Sequence, residues 1–247
     1  MIIEAEKFDR LCEESYADTH GSWIGIYNEK MLHKVLKRFF CEDESCHEKK
    51  VGSFTADVLC GNDITEIQTK NLYALKKKLA YYLSHTDYNI TVVYPVISDK
   101  RILRVDRESG EVLRMRRSPK KIGHADVMQE LYRISEFIPD ERLCICVIYI
   151  EAEEHRYSDE VVRYRKSGKY DSALFPKRIL KSEIYSKSED FKFLLEGCND
   201  IFSAADYKKL YGFSGRQLYS VLNLLCNVGL LERGKNTAGV YEYKIKE

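Results

Sequence analysis

The sequence lacks the features that mark membrane-spanning and secreted proteins. No apolar run approaches the length of about 18 uncharged residues that suggests a membrane span. The first residues, MIIEAEK, do not show the basic-then-apolar order of a secretory signal. We therefore expect no membrane partner and a cytoplasmic location. Only 4 prolines and 13 glycines occur among the 247 residues, which excludes collagen-like and low-complexity chains.

The chain also lacks a strong net charge. Its 40 lysine and arginine residues nearly balance its 39 aspartate and glutamate residues, for a formal charge of +1. Any surface that binds nucleic acid must therefore be a local patch and not a property of the whole molecule. With 44% hydrophobic and 32% charged residues, the chain can bury one large core or two modest ones.

A recognisable cysteine framework is missing as well. The chain has eight cysteines and no signal peptide, so we interpret them as reduced thiols. Cys41, Cys46 and His47 form the one grouping that suggests zinc. Their spacing is not CxxC, and no second half follows at ligand spacing, so the sequence argues against a zinc site.

Hydrophobic periodicity predicts an α/β fold over residues 1–150, with a mixed sheet flanked by helices. Helices are indicated by apolar residues at helical spacing, and buried strands by short continuous apolar runs. The predicted elements are, in order, a helix over 28–40, a β-hairpin around Gly61-Asn62-Asp63, a helix over 71–84, a strand over 90–97, a hairpin over 101–116, a short helix over 126–132 and a strand over 143–150.

The remaining residues divide into two parts. Residues 151–187 change from acidic to basic with little periodicity, so we interpret them as a charged connector. Residues 188–247 indicate a small separate domain with two helices, because Ser203 opens one helix and Ser214 with Gln217 forms the S-x-x-Q capping box of another. A hairpin follows these helices. The order of helix, turn, helix and hairpin resembles a winged helix.

Two groups of residues are candidates for contact with nucleic acid. A DNA-reading second helix of the winged-helix-like domain would present Arg216 and Gln217, although such domains also mediate protein contacts. The other group is a basic loop, which is alternatively only a solvated loop. Its candidate residues are Arg114, Arg116, Arg117, Lys120 and Lys121.

The predicted hairpin brings two acidic residues together. If its turn is centred on Gly61 and Asn62, Asp57 lies directly opposite Glu66, and Gln68 lies on the same face as Glu66. Like charges in directly opposed positions destabilise a sheet unless a cation lies between them. Mg²⁺ is typically bound by one or two carboxylates together with water and phosphate oxygens. The alternative is that both residues face solvent on an exposed sheet face.

This arrangement resembles the active site of the PD-(D/E)XK nuclease superfamily, which has the restriction-endonuclease-like fold. The resemblance covers residues 21–150 and rests on Asp57, the segment Glu66-Ile67-Gln68 on the next strand, and the helices on either side. It implies that Asp57, Glu66 and the carbonyl of Ile67 bind Mg²⁺ or Mn²⁺. Glu29 on the preceding helix would add a carboxylate, although the helix dipole alone also favours acidic residues there.

One position departs from the pattern of this superfamily. The usual lysine of E-x-K is Gln68 here, which can orient the attacking water but carries no charge. In some members of the superfamily the lysine comes from the next helix, for which Lys70 and Lys77 are candidates. The substitution leaves open whether the site is active or weakened.

The sequence therefore favours a divalent-metal-dependent nuclease that hydrolyses phosphodiester bonds, in DNA more than in RNA. Cleavage of both strands with one site per chain would favour a homodimer. The alternatives are a catalytically inactive DNA-binding or regulatory protein that uses the winged helix, and a protein-interaction module that binds no nucleic acid.

Overall fold

The computed structural model describes residues 3–17, 28–106, 108–119, 122–158, 172–213 and 215–246, and the side chains of residues 28–30 are outside this description. The protein is α/β, with a mixed sheet of parallel and antiparallel strands flanked by helices. The described helices are α1 (Ala5–Ala17), α2 (Asn28–Phe40), α3 (Lys76–His85), α4 (His124–Leu131), α5 (Ala204–Tyr211) and α6 (Gly215–Asn227). The described strands are β1 (His47–Val51), β2 (Phe54–Cys60), β3 (Asp63–Ile67), β4 (Asn89–Asp106), β5 (Val112–Arg117), β6 (Leu143–Ser158), β7 (Ser172–Tyr185), β8 (Ile201–Ser203), β9 (Leu231–Lys235) and β10 (Tyr241–Ile245).

The main sheet has the strand order β1-β2-β3-β4-β6-β7. β1, β2 and β3 form an antiparallel meander, and β3 then pairs in parallel with β4. β4 and β6 are also parallel, whereas β7 is antiparallel to β6. β5 pairs with the second half of β4 and so continues the edge that β3 occupies along the first half.

The predicted β2–β3 hairpin and its register are confirmed. Val58 pairs with Thr65 and Cys60 with Asp63, which is the register expected for a turn centred on Gly61 and Asn62. Gly61 has a φ of 59°, a left-handed conformation that glycine adopts without steric cost. Asp57 and Glu66 follow as the next opposed positions, just beyond the last paired residues.

Helices cover both faces of the sheet because its parallel strands are apolar on both sides. One buried cluster joins β4 and β6 to α3 and α4, with Val92, Ile145 and Leu79 among its members. The opposite cluster joins the same strands to α1 and α2, with Val93 and Ile148 among its members. The alternation of neighbouring residues between two cores follows from the period of two along a strand.

The boundary expected at residue 150 differs from the structure. β6 continues past residue 150 to Ser158, and the stretch interpreted as a connector over 151–187 contains β7, although its residues 159–171 lie outside the described ranges. Charges along these strands are paired across the sheet. Arg178 Nε donates to Glu151 Oε2 at 2.6 Å, for example. Cross-strand pairing therefore lets a polar segment form part of a sheet.

The C-terminal elements share one core with the main sheet. They form helices α5 and α6 and a three-stranded sheet in the order β8-β10-β9. The buried face of α6, including Val221 and Leu225, belongs to the same cluster as β4, β6 and α4. Gln217 Nε2 donates to Asp126 Oδ1 at 2.7 Å across this contact. Ser203 caps α5, whereas Ser214 of the predicted capping box lies outside the described residues.

Among the described residues, no helix combines the length and the apolar character needed to cross a membrane.

We expect alanine to be far less tolerated at Gly52 than at Gly61, although both have a φ of 59°. A Cβ at Gly52 would lie 1.9 Å from the hydroxyl oxygen of Tyr81, whereas a Cβ at Gly61 would meet nothing within 4 Å. The Tyr81 ring packs against Phe54 and Tyr82 and stacks on His85, so moving it aside would break these contacts. Gly61→Ala should lower the free energy of unfolding by about 1 kcal/mol through backbone strain, and Gly52→Ala by about 2 kcal/mol more. Urea denaturation measures both values, and equal losses would contradict the Tyr81 contact.

Candidate functional site

Glu66 is a carboxylate buried inside the fold, with a residue exposure of 1%. It extends from β3 toward α3, where two side chains one helical turn apart face it. The Tyr82 hydroxyl donates to Glu66 Oε1 at 3.1 Å, and Lys78 Nζ donates to Oε2 at 2.6 Å. Both oxygens of the carboxylate therefore have partners, and the lysine supplies a compensating positive charge.

Asp57 is the second carboxylate of the site and lies where β2 and β3 separate. Its Oδ2 accepts a hydrogen bond of 2.7 Å from the backbone N–H of Ile67. His33 of α2 approaches the same oxygen, with its Nε2 at 3.3 Å. The Asp57 side chain is 21% exposed, so solvent reaches this carboxylate and not Glu66.

The two carboxyl groups have different proton affinities. Burial raises the pKa of Glu66 to about 7, and the negative charge of Asp57 adds to this rise while Lys78 opposes it. Burial acts in the same direction on Asp57, but the hydrogen bonds from His33 and Ile67 outweigh it and hold the pKa of Asp57 below its ordinary value. At neutral pH, Asp57 is ionised and Glu66 is poised between its two forms.

This arrangement suits two chemical tasks. An ionised and partly exposed carboxylate beside a second carboxylate offers the oxygen ligands that Mg²⁺ and Mn²⁺ prefer. A carboxyl group with a pKa of about 7 can also take up and release a proton at neutral pH. Pairs of titratable groups with divergent pKa values are typical of active sites.

The other residues predicted around this site fall in different places. The side-chain amide of Gln68 donates to the backbone carbonyl of Lys70 and not to either carboxylate. Lys77 is exposed, and the lysine that contacts Glu66 is its neighbour Lys78. Glu29 lies in the first turn of α2, but its side chain is outside the described part of the structure.

Among the predicted nucleic-acid residues, the arginines of β5 lie along the second half of β4, whereas Glu66 pairs with Val92 in its first half. Arg114, Arg116 and Arg117 belong to β5 and are all exposed, and Arg117 Nη2 lies 3.2 Å from Asp99 Oδ2. Lys120 and Lys121 lie outside the described residues. On α6, Arg216 is exposed, whereas Gln217 is engaged with α4.

Sequence reasoning missed three residues that contact the carboxylates: His33, Lys78 and Tyr82. Tyr82 continues the apolar face formed by Leu75 and Leu79. A buried tyrosine hydroxyl usually has a hydrogen-bond partner, so its position on this face was the signal available in the sequence. Lys78 precedes Leu79 in a run of three lysines, and spacing alone does not separate one of them from the others. Which of the three lysines faces Glu66 depends on how α3 is rotated against the sheet.

Comparison with known proteins identifies one family. The family model described as a domain of unknown function (DUF8091) matches residues 30–185. This range extends from α2 to the end of β7, and it includes Asp57 and Glu66 and every strand of the main sheet. Neither the curated proteins nor the solved structures contain a match to this chain.

The raised pKa of Glu66 predicts a loss of stability as the pH rises. Its pKa is about 7 in the folded protein, against an ordinary value of 4.5. Between these values the folded protein holds a proton that the unfolded chain has released, so the free energy of unfolding should fall by about 3 kcal/mol from pH 5 to pH 8. Glu66→Gln should remove this component of the slope. Urea denaturation at several pH values measures it.

Asp57→Asn is the comparison variant for this experiment. The pKa of Asp57 lies below its ordinary value of 3.8. Asp57 therefore contributes to the free energy of unfolding at pH values above 3.8, and this contribution is lost only on acidification. Between pH 5 and pH 8 this variant should keep only part of the slope, because burial supplies the largest part of the rise in the pKa of Glu66 and the charge of Asp57 supplies a smaller part. If the free energy of unfolding falls equally with pH in the wild type and in Glu66→Gln, the pH dependence does not come from Glu66.

Proposed function

The chain belongs to the DUF8091 family of unknown function, and from its site we propose that it is a divalent-metal-dependent nuclease that hydrolyses phosphodiester bonds. The observation that carries this proposal is the meeting of Asp57, Glu66 and Lys78 between the β2–β3 hairpin and α3. Two carboxylates with a nearby lysine are the groups that the resemblance to the PD-(D/E)XK superfamily requires. DNA is the preferred substrate in this proposal.

The architecture supports the proposal at a coarser level. α2, the β2–β3 hairpin, α3 and β4 follow one another in the order on which the resemblance rests, within a mixed sheet covered by helices on both faces. We therefore propose the restriction-endonuclease-like fold for the region from α2 to β7. For the helices and hairpin after residue 200, we propose a winged-helix-like unit docked on this region.

The residues present fit a hard divalent cation. The donors are all oxygens, and Asp57 is ionised and reached by solvent. We propose that Asp57, Glu66 and the Ile67 carbonyl bind Mg²⁺ or Mn²⁺. Such an ion, when bound, lowers the pKa of a coordinated water and stabilises negative charge on the phosphate. Because Glu66 must lose its proton first, ion affinity should rise as the pH passes about 7.

Lys78 takes the role that the superfamily gives to the lysine of E-x-K. Its ammonium group lies 2.6 Å from Glu66 Oε2, and it comes from the helix after the hairpin, as in some members of the superfamily. Gln68 is a weaker candidate, since its amide donates to the Lys70 carbonyl. Tyr82 is a positioning residue that holds the other oxygen of Glu66.

The arm formed by β4 and β5 supplies a basic surface for the nucleic-acid backbone. Arg114 and Arg116 alternate with apolar residues along β5, so they lie on one face of the arm. All residues of β5 are exposed, which leaves these two guanidinium groups accessible to phosphates. Cleavage of both strands of a duplex would then need a second copy of the chain, because the described residues of one chain form one such site.

The nuclease proposal predicts metal-dependent cleavage that requires the two carboxylates and Lys78. With Mg²⁺ or Mn²⁺, we expect the wild type to cut DNA, and Asp57→Ala and Glu66→Ala to lose at least about 100-fold in rate through loss of metal ligands. Lys78→Met should lose at least about 10-fold, because the charge beside Glu66 is absent. Cleavage of supercoiled plasmid, linear duplex, single-stranded DNA and RNA measures these rates, with EDTA as the metal-free reaction.

Lys77→Met is the matched control, since Lys77 is the exposed neighbour of Lys78 in the same helix. It should cleave at the wild-type rate. Cleavage that survives both carboxylate substitutions would assign the activity to a contaminant. Absence of cleavage in the wild type with either metal on all four substrates would overturn the nuclease proposal.

The second candidate function is a DNA-binding or regulatory protein without catalysis, and one surface favours it. Tyr219 on α6 and Tyr241 on β10 are 56% and 51% exposed. Arg233 and Lys235 of β9 each lie 5.1 Å from the centre of the Tyr241 ring. Exposed aromatic rings beside basic side chains are the groups that stack on bases and contact phosphates.

The two candidates differ in which surface supports binding. If the C-terminal surface carries recognition, Tyr241→Ala with Arg233→Ala should weaken DNA affinity about 10-fold or more without any added metal. If the β4–β5 arm binds the substrate, Arg114→Ala with Arg116→Ala should instead weaken DNA affinity and should reduce the dependence of that affinity on salt concentration. Fluorescence anisotropy at several salt concentrations measures both, with Arg10→Ala of α1 as a control. Unchanged affinity in both double variants would exclude these surfaces.

A further inference from the structure

Three cysteines from separate parts of the chain meet at one end of the main sheet. Cys41 follows the last residue of α2, Cys46 ends the 3₁₀ helix Glu44–Cys46, and Cys60 is the last residue of β2. Their sulfur atoms all lie within 4.8 Å of one another. The sequence grouped Cys41 and Cys46 with His47 and argued against zinc, because it did not show that the hairpin brings Cys60 to the other two cysteines.

Core packing does not explain this cluster. Cys12 and Cys146 are buried and act as small apolar side chains. Cys41 and Cys46 are half-buried and Cys60 is exposed, so little apolar burial is gained by bringing the three together. All three are free thiols.

We propose that Cys41, Cys46 and Cys60 form a zinc site that fastens the end of α2 to the tip of the β2–β3 hairpin. Zinc binds thiolates at about 2.3 Å, and a tetrahedral arrangement then separates the sulfurs by about 3.8 Å. The sulfur separations in this cluster, all within 4.8 Å, leave room for that arrangement. The three sulfurs would supply three of the four ligands of a tetrahedral zinc ion, which leaves one position for a further ligand. Soft thiolate ligands select zinc over Mg²⁺ or Mn²⁺, so this site is distinct from the carboxylates.

The immediate surroundings are consistent with a cation. Asp43 caps the 3₁₀ helix through Oδ1, which accepts from Ser45 N at 2.9 Å, and its Oδ2 lies 3.8 Å from Cys46 Sγ. A bound cation would favour the thiolates, and each coordinating thiol would release one proton without any transfer of electrons.

Zinc content measured on the purified chain tests the proposal independently of nuclease activity. Protein purified under reducing conditions and dialysed against zinc should retain about one zinc ion per chain by elemental mass spectrometry. Cys60→Ser should reduce the retained zinc at least about 10-fold. Cys198→Ser should retain the wild-type amount, because Cys198 is a half-buried thiol outside the cluster. Absence of zinc in the wild type, or equal zinc in Cys60→Ser, would overturn the proposal.

A second measurement uses only the wild-type chain, in case Cys60→Ser fails to fold. Zinc should protect Cys41, Cys46 and Cys60 from iodoacetamide, and a chelator should expose all three together, as read by peptide mass spectrometry. Cys198 should react to the same extent in both states. Equal alkylation of the three cysteines with and without zinc, or a disulfide between two of them in the zinc-treated protein, would reject the zinc site.

Discussion

The parallel pairing of β4 with β6 is the constraint on which the rest of the fold depends. The two strands pair from Ile90 and Leu143 to Asp106 and Ser158, with one shift of register between Ile97 and Asp99, and their apolar residues alternate between two faces. A sheet of this kind must be covered on both sides, which requires helices above and below it. β3 joins the same sheet in parallel to β4, and this pairing sets Glu66 beside Val92 and beneath α3.

The buried carboxylate of Glu66 is hard to explain by stability alone. Transferring a charged group out of water costs several kcal/mol, and a well-packed apolar side chain often serves stability as well as a buried ion pair does. Here Lys78 and Tyr82 occupy both oxygens, and the pKa still rises to about 7. A perturbed carboxyl group beside an ionised, partly exposed one is more typical of a site that binds or reacts than of a structural pair.

Docking of the C-terminal helices on the main sheet limits what those helices can recognise. α6 buries residues such as Val221 and Leu225 in the shared core, and Gln217 is bonded to Asp126 of α4. A helix held in this way keeps a narrow exposed face, which includes Arg216 and Tyr219. Contacts with nucleic acid would then come from this face together with the β9–β10 hairpin, and not from the residues that face α4.

The sequence by itself determined most local features between residues 28 and 150, including the turn at Gly61 and Asn62 and hence the opposition of Asp57 and Glu66, although it did not predict α1 or β1. These features depend on periodicity and turn chemistry between residues close in the chain. Only the tertiary structure decided that Lys78 faces Glu66, that His33 faces Asp57, that Cys60 joins Cys41 and Cys46, and that β7 belongs to the sheet. Such contacts depend on how helices are rotated against the sheet and on pairing between distant strands, which burial across the whole fold determines.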